Sequence, residues 1–380
     1  MKVAIVCSWL NQYGGAERVL ESLHDLYPGA PIYTSMFLPE AMPRAYREWD
    51  IRTSFLDRLP FVKRHHQAFL PLYPLAFEQF DLGEYDVVIS NSSAFCLGVI
   101  TPPGTTHVCY CLTPARFLWD YKQYIQGEKV GKVARALLPV FLNYLRTWDT
   151  CASSRVDHFV AISRAVAARV AKCYRRDSVV IHPPIEADSF SPSDDVDDYY
   201  LIISRLVPYK RIDLAIQAFN HLALPLRIVG DGRHRERLEK LARPNVQFLG
   251  RVSDGAIKEL YARCRALIFP GEEDFGLSPL EAMASGRPVI AYAAGGAMET
   301  IVEGVTGAFF RQPTVDALVR AVEAFDHRAF DPMRTRRHAE GFDVRVFKRQ
   351  LGAYVAEKWR EHEAASGGLG KVPISELCSG

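Results

Sequence analysis

Apolar and polar residues follow two rhythms along this chain. Short apolar runs at 3–7, 32–35, 87–90, 108–112, 159–162 and 179–181 read as buried strands, and the stretches between them carry helical spacing. The pattern resumes with runs at 200–204, 226–229, 246–249, 266–269 and 288–291. After the first of these, Ile212, Ala215, Ile216 and Phe219 recur at i, i+3, i+4 and i+7, one apolar stripe to lay on a sheet. Strands alternating with helices predict doubly wound α/β domains with parallel sheets. Between the two series, 182–198 is rich in Pro, Ser and Asp and has neither rhythm, so it reads as an interdomain linker. The expected division is a first domain over 1–182, a linker over 183–198, a second domain over 199–341, a helix over 342–365 and a flexible tail over 366–380. Within that last helix Val344, Phe347, Leu351, Val355 and Trp359 share one side.

Composition narrows the function classes. A chain of 380 residues is long enough for two cores, and 48% hydrophobic with 24% charged residues is the balance of a soluble globular protein. No apolar run approaches the roughly 18 residues that span a bilayer. The first strand runs into Asn11, Gln12 and Gly14-Gly15 without a small-residue cleavage site, unlike a signal peptide. With 46 basic and 44 acidic residues the net charge is only +2, which excludes a dedicated nucleic-acid binder. The eight Cys show no metal-ligand spacing, and reduced thiols in a cytoplasmic protein are expected.

The sharpest chemical signal is the segment from Pro270 to Pro288, an apolar strand leading through a loop into a helix that should start near Ser278, with Pro279 first in it. Ligands of open α/β sheets sit at such carboxyl ends of strands. The N–H groups of Phe275, Gly276 and Leu277 would point from the helix start at a phosphate or sugar oxygen, with Gly276 allowing close approach. Glu273 and Glu281 flank that seat, and carboxylates, being pure acceptors, suit paired sugar hydroxyls. A solvated surface pair is the alternative. Arg205 and Lys210 follow another strand end, where a guanidinium and an ammonium can hold phosphate; a solvated basic loop is the bland reading. Gly14-Gly15 after the first strand let the backbone pass beneath a ligand. This is not G-x-G-x-x-G, and no ribose-binding acid follows about 20 residues on, so a dinucleotide dehydrogenase fits poorly.

At this point the chain resembles the retaining GT-B glycosyltransferases of family four, whose Glu-x7-Glu motif is matched by Glu273 and Glu281. The resemblance extends over nearly the whole chain. It runs through Gly14-Gly15-Ala16-Glu17-Arg18, Ala161-Ile162-Ser163-Arg164 and Val180-Ile181-His182-Pro183-Pro184-Ile185. It continues through the segments 204–211, Val229-Gly230-Asp231-Gly232 and 294–299. Bacterial mannosyl- and related transferases of O-antigen and exopolysaccharide assembly are the most similar in flavour. The resemblance implies two Rossmann-like domains across a cleft, with the last helix crossing back to the first domain. It implies that the second domain binds a nucleoside diphosphate sugar, with Glu281 on the ribose, Arg205 and Lys210 on the diphosphate, and Glu273 with Phe275–Leu277 on the sugar. Glu273, Arg205 and Lys210 would be the catalytic set, and Gly14 and Gly15 would complete the donor site. No Asp-x-Asp metal motif stands out, so neither metal nor other cofactor is expected. GDP-mannose is the donor the resemblance suggests, with a polysaccharide or lipid-linked saccharide as acceptor.

One position departs from the pattern. Cys111-Leu112-Thr113-Pro114-Ala115-Arg116 stands where the resembled subfamily usually reads Cys-His-Thr-Pro-x-Arg. Leu112 can neither donate a hydrogen bond nor carry charge. Arg116 and Asp120 match the motif and are expected on the acceptor side. Basic and aromatic residues at 58–69, and Lys122, Lys129, Lys132 and Arg135 ahead of an apolar run, suit either an anionic inner-membrane surface or a solvated helix face. Two other readings stay open: a degenerate transferase that binds a nucleotide sugar or acts as a scaffold, and a GT-B-type sugar-nucleotide epimerase.

Overall fold

In the computed structural model, which describes residues 1–120 and 132–365, the chain forms two parallel sheets. The first holds β1 (Val3–Cys7), β2 (Ile32–Thr34), β3 (Ile51–Thr53), β4 (Val87–Ser92), β5 (Thr106–Cys111), β6 (His158–Ala161) and β7 (Ser178–Val180), in the order β3-β2-β1-β4-β5-β6-β7. The second holds β8 (Tyr200–Ile203), β9 (Leu226–Val229), β10 (Val246–Gly250), β11 (Leu267–Phe269), β12 (Val289–Tyr292) and β13 (Gly307–Phe310), in the order β10-β9-β8-β11-β12-β13. Every pairing is parallel. β1, β4 and β5 are buried along their whole length, as strands covered by helices on both sides must be. This is the expected pair of doubly wound α/β domains.

At two of the four sheet edges the apolar rhythm fails. β3 has Arg52 at its centre and lies only partly buried, and β13 begins at a glycine. Neither gives a run that stands out from the sequence. The central strands do, because each residue there meets a helix on one side or the other.

Two chain segments pass between the sheets. The stretch after β7 is packed rather than free: Ile185, Ala187 and Phe190 are buried. Its Ile185 N–H donates to Phe342 O, and Val344 N–H donates back to Ile185 O, both at 3.0 Å. The two crossings thus form one small parallel bridge. The helix Val344–Ala365 follows directly. Phe347, Leu351 and Val355 are buried. Phe347 meets the Tyr110 ring edge-on at 5.5 Å, Lys348 pairs with Asp25 at 3.0 Å, and His362 reaches Pro103 O at 2.8 Å, all on the first sheet's domain.

Of the basic-aromatic region, Phe61 is 73% exposed and Lys63 pairs with Asp57 at 3.2 Å. Lys122, Lys129 and the tail 366–380 lie outside the described residues, as do the side chains of Lys132 and Arg135. Among the described residues no helix is long and apolar enough to cross a membrane.

Phe347 is the largest buried side chain of the last helix. Phe347→Ala leaves a cavity against Tyr110 and should cost about 3–5 kcal/mol of unfolding free energy, read from the urea midpoint followed by circular dichroism. A loss under about 1 kcal/mol would mean that this helix is not part of the first core.

Candidate active site

Each sheet reverses its winding between two strands, β1 and β4 in the first, β8 and β11 in the second. The loops after β1, β8 and β11 carry most of the residues singled out by sequence, and they meet at the cleft. Such switch points are where open α/β sheets take ligands.

The loop after β11 is shaped by backbone. Gly276 has φ +90°, and a Cβ there would fall 2.6 Å from Phe269 Cζ, so no other residue fits. A Cβ on Gly296 would fall 2.2 Å from Phe275 Cα, and the Gly296 N–H donates to Glu273 O at 2.9 Å. The loop is therefore braced from behind. The helix Leu277–Ala284 starts one residue earlier than expected, which makes Pro279 its third residue and leaves it in the first turn, where its missing N–H costs nothing. Among the described residues, the N–H groups of Phe275, Gly276 and Leu277 donate to no other group. They form a set of unpaired donors at a helix N-terminus.

The charged residues are paired with one another. Glu273 and Lys210 form an ion pair with side chains only 16% and 14% exposed. Arg205 is exposed and donates to Tyr209 Oη at 3.1 Å. The Lys210 ammonium and the Arg116 guanidinium lie 5.5 and 5.6 Å from the same Tyr209 ring. Glu281 is buried; one oxygen accepts from Tyr261 Oη at 2.8 Å and the other from Arg18, a residue of the first domain. The adjacent Glu281 carboxylate holds the Arg18 guanidinium more firmly protonated, while burial and the same carboxylate raise the Tyr261 phenol.

On the opposite wall, Gly14 caps the helix Gly15–Leu26, and a Cβ on Gly15 would stand 3.4 Å from Leu277 Cδ1. The two helix starts face each other. Glu17, in the first turn, is buried without an ion-pair partner within salt-bridge reach among the described residues. Burial pushes its carboxyl up from the ordinary 4.5 to about 7, against the N–H groups of Glu17 and Gly14 and the charge of Arg205, with Glu21 adding to the rise. Leu112, just past β5, is half-buried against the core and bonds only through its backbone, N–H to Ser92 O at 2.8 Å. Arg116 donates to Asp274 Oδ1 at 2.6 Å, and Arg169 pairs with the same oxygen. Burial first, then the neighbouring Arg116, lowers the Arg169 guanidinium below its ordinary value. Asp120 is exposed, with its N–H on Arg116 O at 2.8 Å.

Glu273, Phe275, Gly276, Leu277, Glu281, Arg205, Lys210, Gly14 and Gly15 therefore converge on the cleft. Leu112 and Arg116 lie on its first-domain wall, Arg116 turned towards the second domain. Several residues here carried no sequence role. Glu17, Arg18, Ser163, His182 and Glu299 sit inside the segments that carry the family resemblance, so their signal was present but unassigned. The His182 ring stacks on Phe275 at 5.2 Å. Tyr261, Asp274 and Arg169 gave no separate signal. The Asp195-Val196-Asp197 spacing is engaged by Arg263, at 3.8 and 2.7 Å. Among the described residues no group of three or more His, Cys, Asp or Glu is placed to hold a metal.

Comparison with known proteins divides at the same place as the sheets. Residues 13–189 match the family model Glycosyltransferase Family 4, and residues 169–340 match Glycosyl transferases group 1. The GDP-mannose-dependent alpha-(1-6)-phosphatidylinositol monomannoside mannosyltransferase of Mycolicibacterium smegmatis is 29% identical over 228 residues, 52% of this chain and 58% of that one. The chain spans about half the length of that and other curated relatives it matches. The alpha-1,3/1,6-mannosyltransferase ALG2 of Mus musculus is 26% identical over 335 residues, 76% of this chain and 77% of that one. Among solved structures, Anabaena HepE in complex with UDP and glucose superposes with a TM-score of 0.71 at 19% identity, covering 94% of this chain and 99% of that one.

The raised carboxyl of Glu17 has a consequence for stability. Folded, it keeps its proton up to about pH 7; unfolded, it releases it near 4.5. The contribution is full below about pH 4.5 and is lost as pH rises through 7, on the order of 3 kcal/mol. Glu17→Gln removes this titration, so the thermal midpoint should fall less between pH 4.5 and 7 than in the wild type. Matching pH profiles for the two proteins would rule this out.

Proposed function

We propose that this chain, whose two halves match Glycosyltransferase Family 4 and Glycosyl transferases group 1 in turn, is a retaining, metal-independent hexosyltransferase of the GT-B type. It moves a hexose from a nucleoside diphosphate sugar to a polysaccharide or lipid-linked saccharide. The observation that carries this reading is the Lys210–Glu273 pair lying beside the unpaired N–H groups of Phe275, Gly276 and Leu277. A sugar diphosphate satisfies all of them together: phosphate oxygens take Lys210 and Arg205, and the sugar's oxygens and hydroxyls take the N–H groups and Glu273. Glu281 then receives the ribose hydroxyls. Its four lone-pair sites are enough for Tyr261 and two hydroxyls once Arg18 withdraws. Arg205 and Lys210 stabilise charge as it develops on the departing diphosphate, the role a divalent cation fills elsewhere. Full activity in the presence of EDTA is expected.

Mannose, and GDP as its carrier, are supported by the relatives whose names state mannosyl transfer. The protein's place is the cytoplasm, with peripheral contact to the inner membrane surface, a contact that the exposed Phe61, Leu75 and Val140 support.

A second reading rests on Leu112, which has no polar atom where the family pattern has His. The protein would then bind nucleotide sugar without turning it over. Leu112→His separates the two: a rate gain points to a missing contact, and an unchanged, measurable rate removes the objection.

A thermal-shift panel of UDP, GDP, ADP and TDP tests the main proposal. The correct nucleotide at 100 times its dissociation constant adds about 2.7 kcal/mol of stability. Glu281→Gln should erase that shift, and Lys210→Ala should lower the transfer rate by about 10²–10³. If no nucleoside diphosphate stabilises the protein, the proposal fails.

A further inference from the structure

Asp274 sits in the loop after β11, between Glu273 and the first of the unpaired N–H groups, yet its side chain finds no partner in its own domain among the described residues. All its contacts come from the other wall of the cleft. Its carboxylate takes Arg116 at 2.6 Å and Arg169, and its carbonyl oxygen accepts from Ser163 Oγ at 2.6 Å. Asp274 is 19% exposed, Arg116 22% and Arg169 32%.

The helix that supplies two of these contacts is itself held by the second domain. Ser163 caps the helix Arg164–Tyr174, and its first free N–H groups, those of Arg164 and Ala165, donate to Glu299 at 2.9 and 3.2 Å. Glu299 lies just beyond Gly296, the residue that braces Glu273 from behind. The helix therefore receives a carboxylate from one side of the donor loop and returns a guanidinium and a hydroxyl to the loop itself. Two guanidiniums on one carboxylate exceed what neutrality needs, although Glu272 and Asp120 lie close enough for Arg169 to feel their charge. Arg116 also has a buried Nε with no partner. Its guanidinium is held by Asp274 and by the face of the Tyr209 ring, both in the second domain.

We infer that Arg169, together with Arg116, is a positioning residue of the donor site: by gripping Asp274 across the cleft it sets the loop that presents Glu273 and the N–H groups of Phe275–Leu277. The inference rests on the donor-site reading given above. It moves Arg116 from a contact with the acceptor to a contact with the donor loop. Nucleotide binding by the second domain alone does not need this grip. The step that follows, which depends on the placement of the sugar, does.

The test measures nucleotide dissociation constant, donor KM and kcat for Arg169→Gln, Arg169→Lys, Asp274→Ala and the Arg169→Gln/Asp274→Ala double variant of the full chain. The donor is UDP-glucose or GDP-mannose, whichever the wild type turns over, with hydrolysis as the readout where no acceptor is in hand. Arg169→Gln should bind the free nucleoside diphosphate within about twofold of wild type while kcat falls by roughly 10- to 100-fold, the scale of a misplacement near 1 Å. Arg169→Lys should recover part of the loss, and the double variant should be no worse than the poorer single one. A kcat for Arg169→Gln within threefold of wild type, with or without a lower melting temperature, overturns the clamp while leaving the donor site standing. Losses that multiply in the double variant overturn it too. A wild type that binds no nucleoside diphosphate overturns both.

Discussion

A carboxylate removed from water must find a cation or a set of N–H donors, or give up its charge. At this cleft the partner repeatedly comes from the opposite domain. Arg18 meets Glu281, Arg116 and Arg169 meet Asp274, and Glu299 meets the start of the helix Arg164–Tyr174. Glu273 is instead matched by a cation of its own domain, Lys210. Glu17, the one buried acid of the cleft with no ion-pair partner in reach among the described residues, keeps its proton to about pH 7 instead. The relative position of the two sheets is thus set by charge matching at the cleft together with an apolar cluster that runs from the first sheet through the crossings to the second.

Glu273 and Glu281 are already paired in this state, while the N–H groups of Phe275, Gly276 and Leu277 are not, among the described residues. A guanidinium occupies Glu281 and an ammonium occupies Glu273. A ligand entering here exchanges partners more than it creates contacts, so net affinity is smaller than the number of contacts suggests. Specificity then depends on how well a ligand's hydroxyls and phosphates replace several partners at once.

Much of this could be read from sequence. The central strands were legible because burial on both faces leaves an uninterrupted apolar run, and the loops after β1, β8 and β11 were legible because glycines and charges cluster there. β3 and β13 were hidden, since an edge strand needs only one good face and Arg52 or Gly307 breaks the run. The segment 182–198 read as a plain linker because its few apolar residues are spaced irregularly, yet Ile185, Ala187 and Phe190 are buried. The partners across the cleft were not legible at all. Arg18 and Glu281 are separated by 263 positions, and Arg169 and Asp274 by 105, so no local period links them. Arg116 lies on the first-domain wall, and its partner Asp274 was out of sight in the sequence.

The pair of crossings at Ile185 and Asp343 also decides how the molecule can move. Two covalent connections tied to each other by reciprocal hydrogen bonds would act as a single pivot for any swing of the halves. The stack of His182 on Phe275 lies beside that pivot, where the lever arm is short. Any such swing would move Phe275 less than the far rim of the cleft.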